Sequence, residues 1–249
     1  MITAVALNGI PEVKPGDDLA ALLAASLEAD RAGDGDVLVL AHKVVSKAEG
    51  RIRRLADVVP GLRAAELARE HGKDPRHVQV VLDESSEIIR ASHGVLIAVT
   101  HHGFVCANAG VDASNVPGED LVVLLPQDPD GSARGIRARL RELTGAAPAV
   151  LITDSFGRAW RHGQSDVAIG GAGLQPLEDW RGRRDTTGRE LHATWIAVAD
   201  ELAAAADLAR SKDGAQPAVL VRGAERHVTS ADGPGAAAMI RPESEDLFR

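Results

Sequence analysis

Apolar and polar positions fall into alternating blocks along the chain, and the period within each block predicts its element. Leu19, Leu22, Leu23 and Leu27 share one face of a helix that Asp17 or Asp18 can cap and that Gly33 and Gly35 close. The uninterrupted apolar run 37–41 predicts a buried strand. Further helices are expected over 62–70, stopped by Gly72, and over 84–92, with strands at 78–82 and 95–100. The run 121–125, ended by Pro126, predicts another strand. A charged helix at 133–143, a strand at 149–153, an Ala-rich helix at 200–210 and a strand at 218–221 complete the pattern. From 156 to 194 Gly, Arg and Asp crowd together with little periodicity. Loops of that length in a compact protein are usually functional or disordered, and Trp160 and Trp180 favour order here.

With 249 residues and 45% apolar content the chain can bury a sizeable core, as one unit over 1–249 or as two intimately joined subdomains. Its net charge of −8 and 2% aromatic content argue against a nucleic-acid surface, which needs basic patches and stacking platforms. A small-molecule enzyme fits better. Cys106 is the single cysteine, which excludes an intrachain disulfide or a thiolate zinc site. It reads as a small buried hydrophobe rather than a nucleophile. No apolar run approaches the length of a membrane span, and the N-terminal residues lack a signal-peptide pattern, so a cytoplasmic protein is expected.

Three segments could carry chemistry. AHKVVSKAEG at 41–50 follows a strand, and its lysines and hydroxyl can hold phosphate oxygens; a solvated charged turn explains it equally well. In FVCANAGVDASNV at 104–116 small residues permit close backbone approach, and Asp112, Ser114 and Asn115 offer oxygen donors for a hydrated cation or a sugar hydroxyl. An Asx-turn accounts for the same composition. LITDSFGRAWR at 151–161 brings Asp154 and Ser155 off a strand end, where they suit a divalent metal, while Arg158 and Arg161 can neutralise phosphate or carboxylate. The plain alternative is a helix N-cap at Asp154 or Ser155. Asp112 and Asp154 together could form a carboxylate pair for Mg²⁺ or Mn²⁺. No P-loop and no H-E-x-x-H occur, and Gly170-Gly171-Ala172-Gly173 does not satisfy G-x-G-x-x-G. His42, His101, His102 and His162 fall in or near these loops, and Asp166, Asp179 and Asp185 compete as acids in the long segment.

Taken in order, AHKVVSKAEGR at 41–51, GFVCANAGVDASNV at 103–116 and LITDSFGRAWRHGQSDVAIGGAGL at 151–174 closely resemble the coenzyme F-420-0:L-glutamate ligase family. The likeness runs from Ile10-Pro11 through VLVRG at 219–223 to the tail RPESEDLF at 241–248. It implies an unusual mixed α/β (α+β) fold in an intertwined homodimer. It also implies a ligase that consumes GTP, adds L-glutamate to a deazaflavin coenzyme precursor, and extends the tail by γ-linkages. GTP contacts are implied at Ile10, Pro11, Glu12, Val13, His42, Lys47 and Asn115. Metal ligands are implied at Asp112, Asp154 and Ser155, for two Mg²⁺ or Mn²⁺ ions with K⁺ as a further cation. Ser155 stands where many members carry Thr, which keeps the hydroxyl, and Lys212 stands where some carry Gln. Lys47, Asp112, Asp154 and Arg158 are the expected catalytic set, acting through an acyl phosphate with release of GDP and phosphate. Neither nucleic acid nor a membrane is expected as a partner. Two rivals stay open: a metal-dependent nucleotide phosphohydrolase using the same acids, and a non-catalytic nucleotide-binding protein.

Overall fold

The computed structural model describes residues 1–27, 31–114, 118, 120–211 and 213–247. Strand β1 (Thr3–Ala6) leads into an irregular stretch and then helix α1 (Leu19–Leu27), whose start is held by the Asp18 carboxylate accepting from the Ala21 amide at 3.0 Å. The apolar run becomes β2 (Val37–Ala41), followed without a loop by α2 (His42–Ala48). After β3 (Ile52–Arg54) come α3 (Leu62–His71), which Gly72 ends in the left-handed conformation, and α4 (Pro75–Asp83). Strands β4 (Ser85–Ser92), β5 (Val95–Thr100), β6 (Val105–Ala107) and β7 (Leu121–Val123) follow. Helix α5 (Pro129–Thr144), capped by Asp128, precedes the two longest strands, β8 (Ala149–Arg158) and β9 (Arg161–Ala172). A short pair, β10 (Glu178–Asp179) and β11 (Trp195–Ile196), then α6 (Val198–Ala209) and β12 (Ala218–Arg222) complete the regular elements.

The principal sheet has the order β1-β12-β2-β8-β9, with β2 and β8 parallel and the other neighbours antiparallel. Alternation along its central strands sends apolar side chains to both faces. Leu38, Leu40, Val150, Ile152 and Leu220 pack on one side with residues of α1 and α5. Val37, Val39, Leu151, Val219 and Val221 pack on the other with α6. The result is a three-layer, mixed α/β arrangement in which both sheet faces are dry. A separate cluster joins α3 and α4 to the three-stranded sheet β4-β5-β6 and the pair β3-β7. Arg51 ties the two regions, donating to the Leu125 carbonyl at 3.0 Å and pairing with Glu84 at 2.6 Å.

Four local expectations are corrected. Residues 78–82 lie in α4 rather than a strand. Asp74 caps that helix by accepting from the Arg76 amide, and Pro75 opens it, which overrides the β-branched run. Of the 84–92 segment, Glu84 ends α4 and Ser85–Ser92 form β4 rather than a helix. His93 and Gly94, at φ 50° and 75°, close a tight hairpin onto β5, and the strand is slotted against that neighbour. The segment after Ala41 is a buried helical turn and not a charged loop. Part of the aperiodic stretch is the far half of the β8–β9 hairpin, so Asp154 and Ser155 sit inside a strand, which removes the N-cap alternative.

The glycine run also has a structural explanation. A Cβ on Gly170 would lie 2.5 Å from the Pro129 carbonyl oxygen, so α5 can rest on β9 only because that side chain is absent.

Candidate active site

A cavity of about 690 Å³ opens where β2 and β8 end side by side, and the loop that follows β1 and the one between α6 and β12 wall it. Crevices at the carboxyl ends of parallel strands are common ligand sites, because the chain must turn away there and leaves polar groups exposed.

Its floor is built from β8 and β9. Thr153, Asp154 and Ser155 leave the buried half of β8, and the register places Ser155 directly opposite Asp166. Asp166 is 2% exposed; its two oxygens accept from Ser155 Oγ at 2.6 Å and from Thr153 Oγ1 at 2.8 Å, and Arg210 also pairs with it. Asp154 Oδ1 accepts from the Ser155 amide at 2.8 Å and lies 3.3 Å from His42 Nε2, too poorly aligned for a good hydrogen bond. Burial opposes ionisation of Asp154, yet the His42 contact, the Ser155 amide and the field of Lys43 outweigh it and hold the carboxyl below its ordinary 3.8.

The rim is built from loops and α2. Asp112, after β6, pairs with Lys43 at 2.6 Å, and the Ser114 amide and hydroxyl donate to its two oxygens at 2.7 and 2.8 Å. Here too burial raises the carboxyl, and Lys43 and Ser114 more than reverse it. Lys47, itself buried, reaches Glu12 Oε1 at 2.6 Å. Helix α2 begins at His42 directly after β2, so Lys43 and Lys47, one turn apart, face the same opening.

Most of the residues singled out from sequence therefore share one space: Ile10, Pro11, Glu12, Val13, His42 and Lys47, with Asp112, Asp154 and Ser155, all line the cavity. Arg158 is placed elsewhere. It sits at the exposed far end of β8, where its guanidinium donates to the His162 carbonyl at 2.7 Å, and it is not among the lining residues. Asn115 and Lys212 lie outside the described residues. Asp179 and Asp185 are engaged locally with Arg181 and Thr187, away from the cavity. His101 and His102 donate to backbone carbonyls of Asp83 and Pro126, as structural histidines do. Cys106 is buried, and burial followed by the field of Asp154 pushes its thiol up to about 12, so it is inert.

Arg210 escaped the sequence reading, and Asp166 was only one of several competing acids. The legible signal was the period of two in Gln164, Asp166 and Ala168, which puts Asp166 on the Ser155 side once 149–172 is taken as a hairpin.

Among the described residues, no three His, Cys, Asp or Glu side chains meet at metal-holding spacing. The available donors are two carboxylates and a hydroxyl, all oxygen, beside a buried His42 Nε2 that lacks a hydrogen-bond partner. That set fits Mg²⁺ or Mn²⁺ held by one or two carboxylates with water and phosphate completing the shell; it does not fit a dedicated all-protein cage.

A family model described as F420-0:Gamma-glutamyl ligase matches residues 9–223. A protein of Methanothermobacter thermautotrophicus named Coenzyme F420:L-glutamate ligase is 46% identical over 251 residues, covering 100% of this chain and 99% of its own. Relatives of the same name from Methanopyrus kandleri and Archaeoglobus fulgidus are 48% and 46% identical, covering 96% and 98% of this chain and 94% of their own lengths. No helix among the described residues is long and apolar enough to cross a membrane.

Proposed function

Because the chain belongs to the F420-0:gamma-glutamyl ligase family, we propose that it joins L-glutamate to a deazaflavin coenzyme precursor at the expense of GTP, and that it extends the product through γ-linkages. The observation that carries this reading is the convergence of two lysines, two ionised carboxylates and a hydroxyl, drawn from three distant stretches, on one cavity.

In this reading Lys47 and Lys43 neutralise phosphate oxygens, exchanging Glu12 and Asp112 for the nucleotide, while residues 10–13 wall its binding site. Asp112, Asp154 and Ser155 would hold the divalent cations, with K⁺ as an accessory. Such cations supply charge neutralisation at the transferred phosphoryl group. The acceptor carboxylate attacks the γ-phosphorus and the bond to the β-phosphate oxygen breaks, which releases GDP and leaves an acyl phosphate. The glutamate amine, having lost a proton to solvent, then attacks the acyl carbon, and phosphate departs. Phosphoryl transfer needs positioning and charge rather than a protein nucleophile, which suits a cavity whose nearby thiol is inert. Arg158, outside the cavity in one chain, would contribute only through movement of the hairpin or across a homodimer. The dimer belongs to the same proposal, supported by the 81%-exposed Trp160 at the hairpin end, and light scattering tests it.

Mass spectrometry of the acceptor after incubation with GTP, Mn²⁺ and glutamate tests the proposal. Successive glutamyl additions are expected. Phosphate release from GTP alone, with the acceptor unchanged, would instead indicate a phosphohydrolase, and GTP binding without turnover a non-catalytic protein.

A further inference from the structure

His42 opens α2 at the point where β2 ends, so two regular elements fix its position, and it is 2% exposed although it lines the cavity. Its two ring nitrogens are served unequally. Nδ1 lies 3.3 Å from the hydroxyl of Ser46, one helical turn on and fully buried, while Nε2 makes no hydrogen bond and lies 3.3 Å from Asp154 Oδ1. A buried polar atom left without a partner costs free energy, so its retention at a cavity wall calls for an explanation.

Neither placement of the ring proton supplies one from the protein alone. Protonated at Nε2, the ring points its N–H where no acceptor is well aligned; protonated at Nδ1, it turns a lone pair toward a carboxylate that is held ionised. A divalent cation shared by the two atoms satisfies both. Two ligands about 2.1 Å from one octahedral cation stand about 3 Å apart, so the observed separation needs to close by only a few tenths of an ångström. The Nδ1 proton that this arrangement requires has Ser46 Oγ as its acceptor, and ligating histidines characteristically donate their other ring N–H in this way.

We propose that His42 Nε2 is a cation ligand beside Asp154 and that it sets a preference for Mn²⁺ over Mg²⁺. The proposal rests on the reading that Asp154 holds a divalent cation. The other donors there are oxygens, which suit Mg²⁺ and Mn²⁺ alike, whereas an imidazole nitrogen favours the transition metal over hard, oxygen-seeking Mg²⁺.

The test is pulsed electron paramagnetic resonance of Mn²⁺ bound to the full chain, with and without a non-hydrolysable GTP analogue. A nitrogen coupling of direct-bond strength is expected, and it should change when the histidines carry the heavy nitrogen isotope; among the described residues His42 is the one histidine that lines the cavity. In His42→Gln the coupling should vanish, and the preference for Mn²⁺ over Mg²⁺, read by displacing Mn²⁺ with Mg²⁺, should fall by about tenfold or more. Mn²⁺ that binds, is lost in Asp154→Asn and yet shows no histidine coupling would overturn the role of His42 and leave the Asp154 reading intact, a result that needs no variant at His42. A coupling that persists in His42→Gln, or a metal preference that this variant leaves unchanged, would overturn it equally. Mn²⁺ affinity unchanged in Asp154→Asn would remove the cation reading and the proposal with it.

Discussion

The floor and the rim of the cavity present the same kinds of group in opposite settings. On the floor, Thr153, Asp154, Ser155 and Asp166 belong to two long paired strands, and the hydroxyls of Thr153 and Ser155 hydrogen-bond to Asp166 across the pair. On the rim, Glu12 and Asp112 come from loops, are about half exposed, and hold their lysines through contacts that a ligand could replace. A site made this way has a fixed half that sets geometry and an adjustable half that, in the proposed reading, would admit and release nucleotide. Substitutions on the floor should therefore act on kcat, and those on the rim on KM for GTP.

The largest effect is expected from Asp154→Asn. Losing several kcal/mol of charge stabilisation should lower kcat by about 10³-fold, with circular dichroism unchanged. Full ligation by this variant would break the comparison at its strongest point. Asp112→Asn on the rim should cost about 10²-fold in kcat/KM, expressed more in the nucleotide KM. A pure kcat effect there would place Asp112 functionally with the floor.

Stability sharpens the same contrast. Gly170→Ala pushes a methyl against the Pro129 backbone behind the floor, and urea unfolding should show a loss of about 1–3 kcal/mol. Asp74 caps α4 in the region that carries Asp112, and its carboxyl is held below 3.8, chiefly by the Arg76 side chain and further by the Arg76 amide. A depressed carboxylate contributes stability above its unfolded value, and that contribution disappears as pH falls through the lower folded value. The stability difference between the wild type and Asp74→Asn should therefore shrink below about pH 4. A difference independent of pH would show that the cap acts without its charge. The smallest effect is expected for Glu12→Gln, since a half-exposed ion pair is worth about 0–1 kcal/mol; GTP affinity should change no more than about fivefold.

The sheet was legible where burial is two-sided: the runs at 37–41, 149–153 and 218–221 are apolar because both faces are covered. Helix α3 was legible because Gly72 stops it, and α5 was legible from about Ala133 onward, its Asp128-Pro129 start having gone unread. Residues 75–92 were misread because Val78, Val80 and Val81 favour a strand taken alone, whereas the Asp74-Pro75 start and the His93-Gly94 turn decide the matter from outside each run. For the site, the individual residues were readable but their meeting was not. Lys43 and Ser114 are 71 positions apart, and the 13-residue gap between Thr153 and Asp166 closes only through a hairpin hidden in an aperiodic stretch. Arg210 had no sequence signal, because it is recruited by tertiary packing at the end of an Ala-rich helix.

The central claim is that Asp112 and Asp154, from distant stretches, serve shared cations on one triphosphate. Anomalous diffraction from crystals grown with Mn²⁺ and a non-hydrolysable GTP analogue tests it directly. The account predicts manganese peaks about 2.0–2.3 Å from oxygens of Asp112, Asp154 and Ser155, and bridging to the β- and γ-phosphates. Nucleotide bound with its phosphates away from these side chains, or manganese held by other residues, would contradict it.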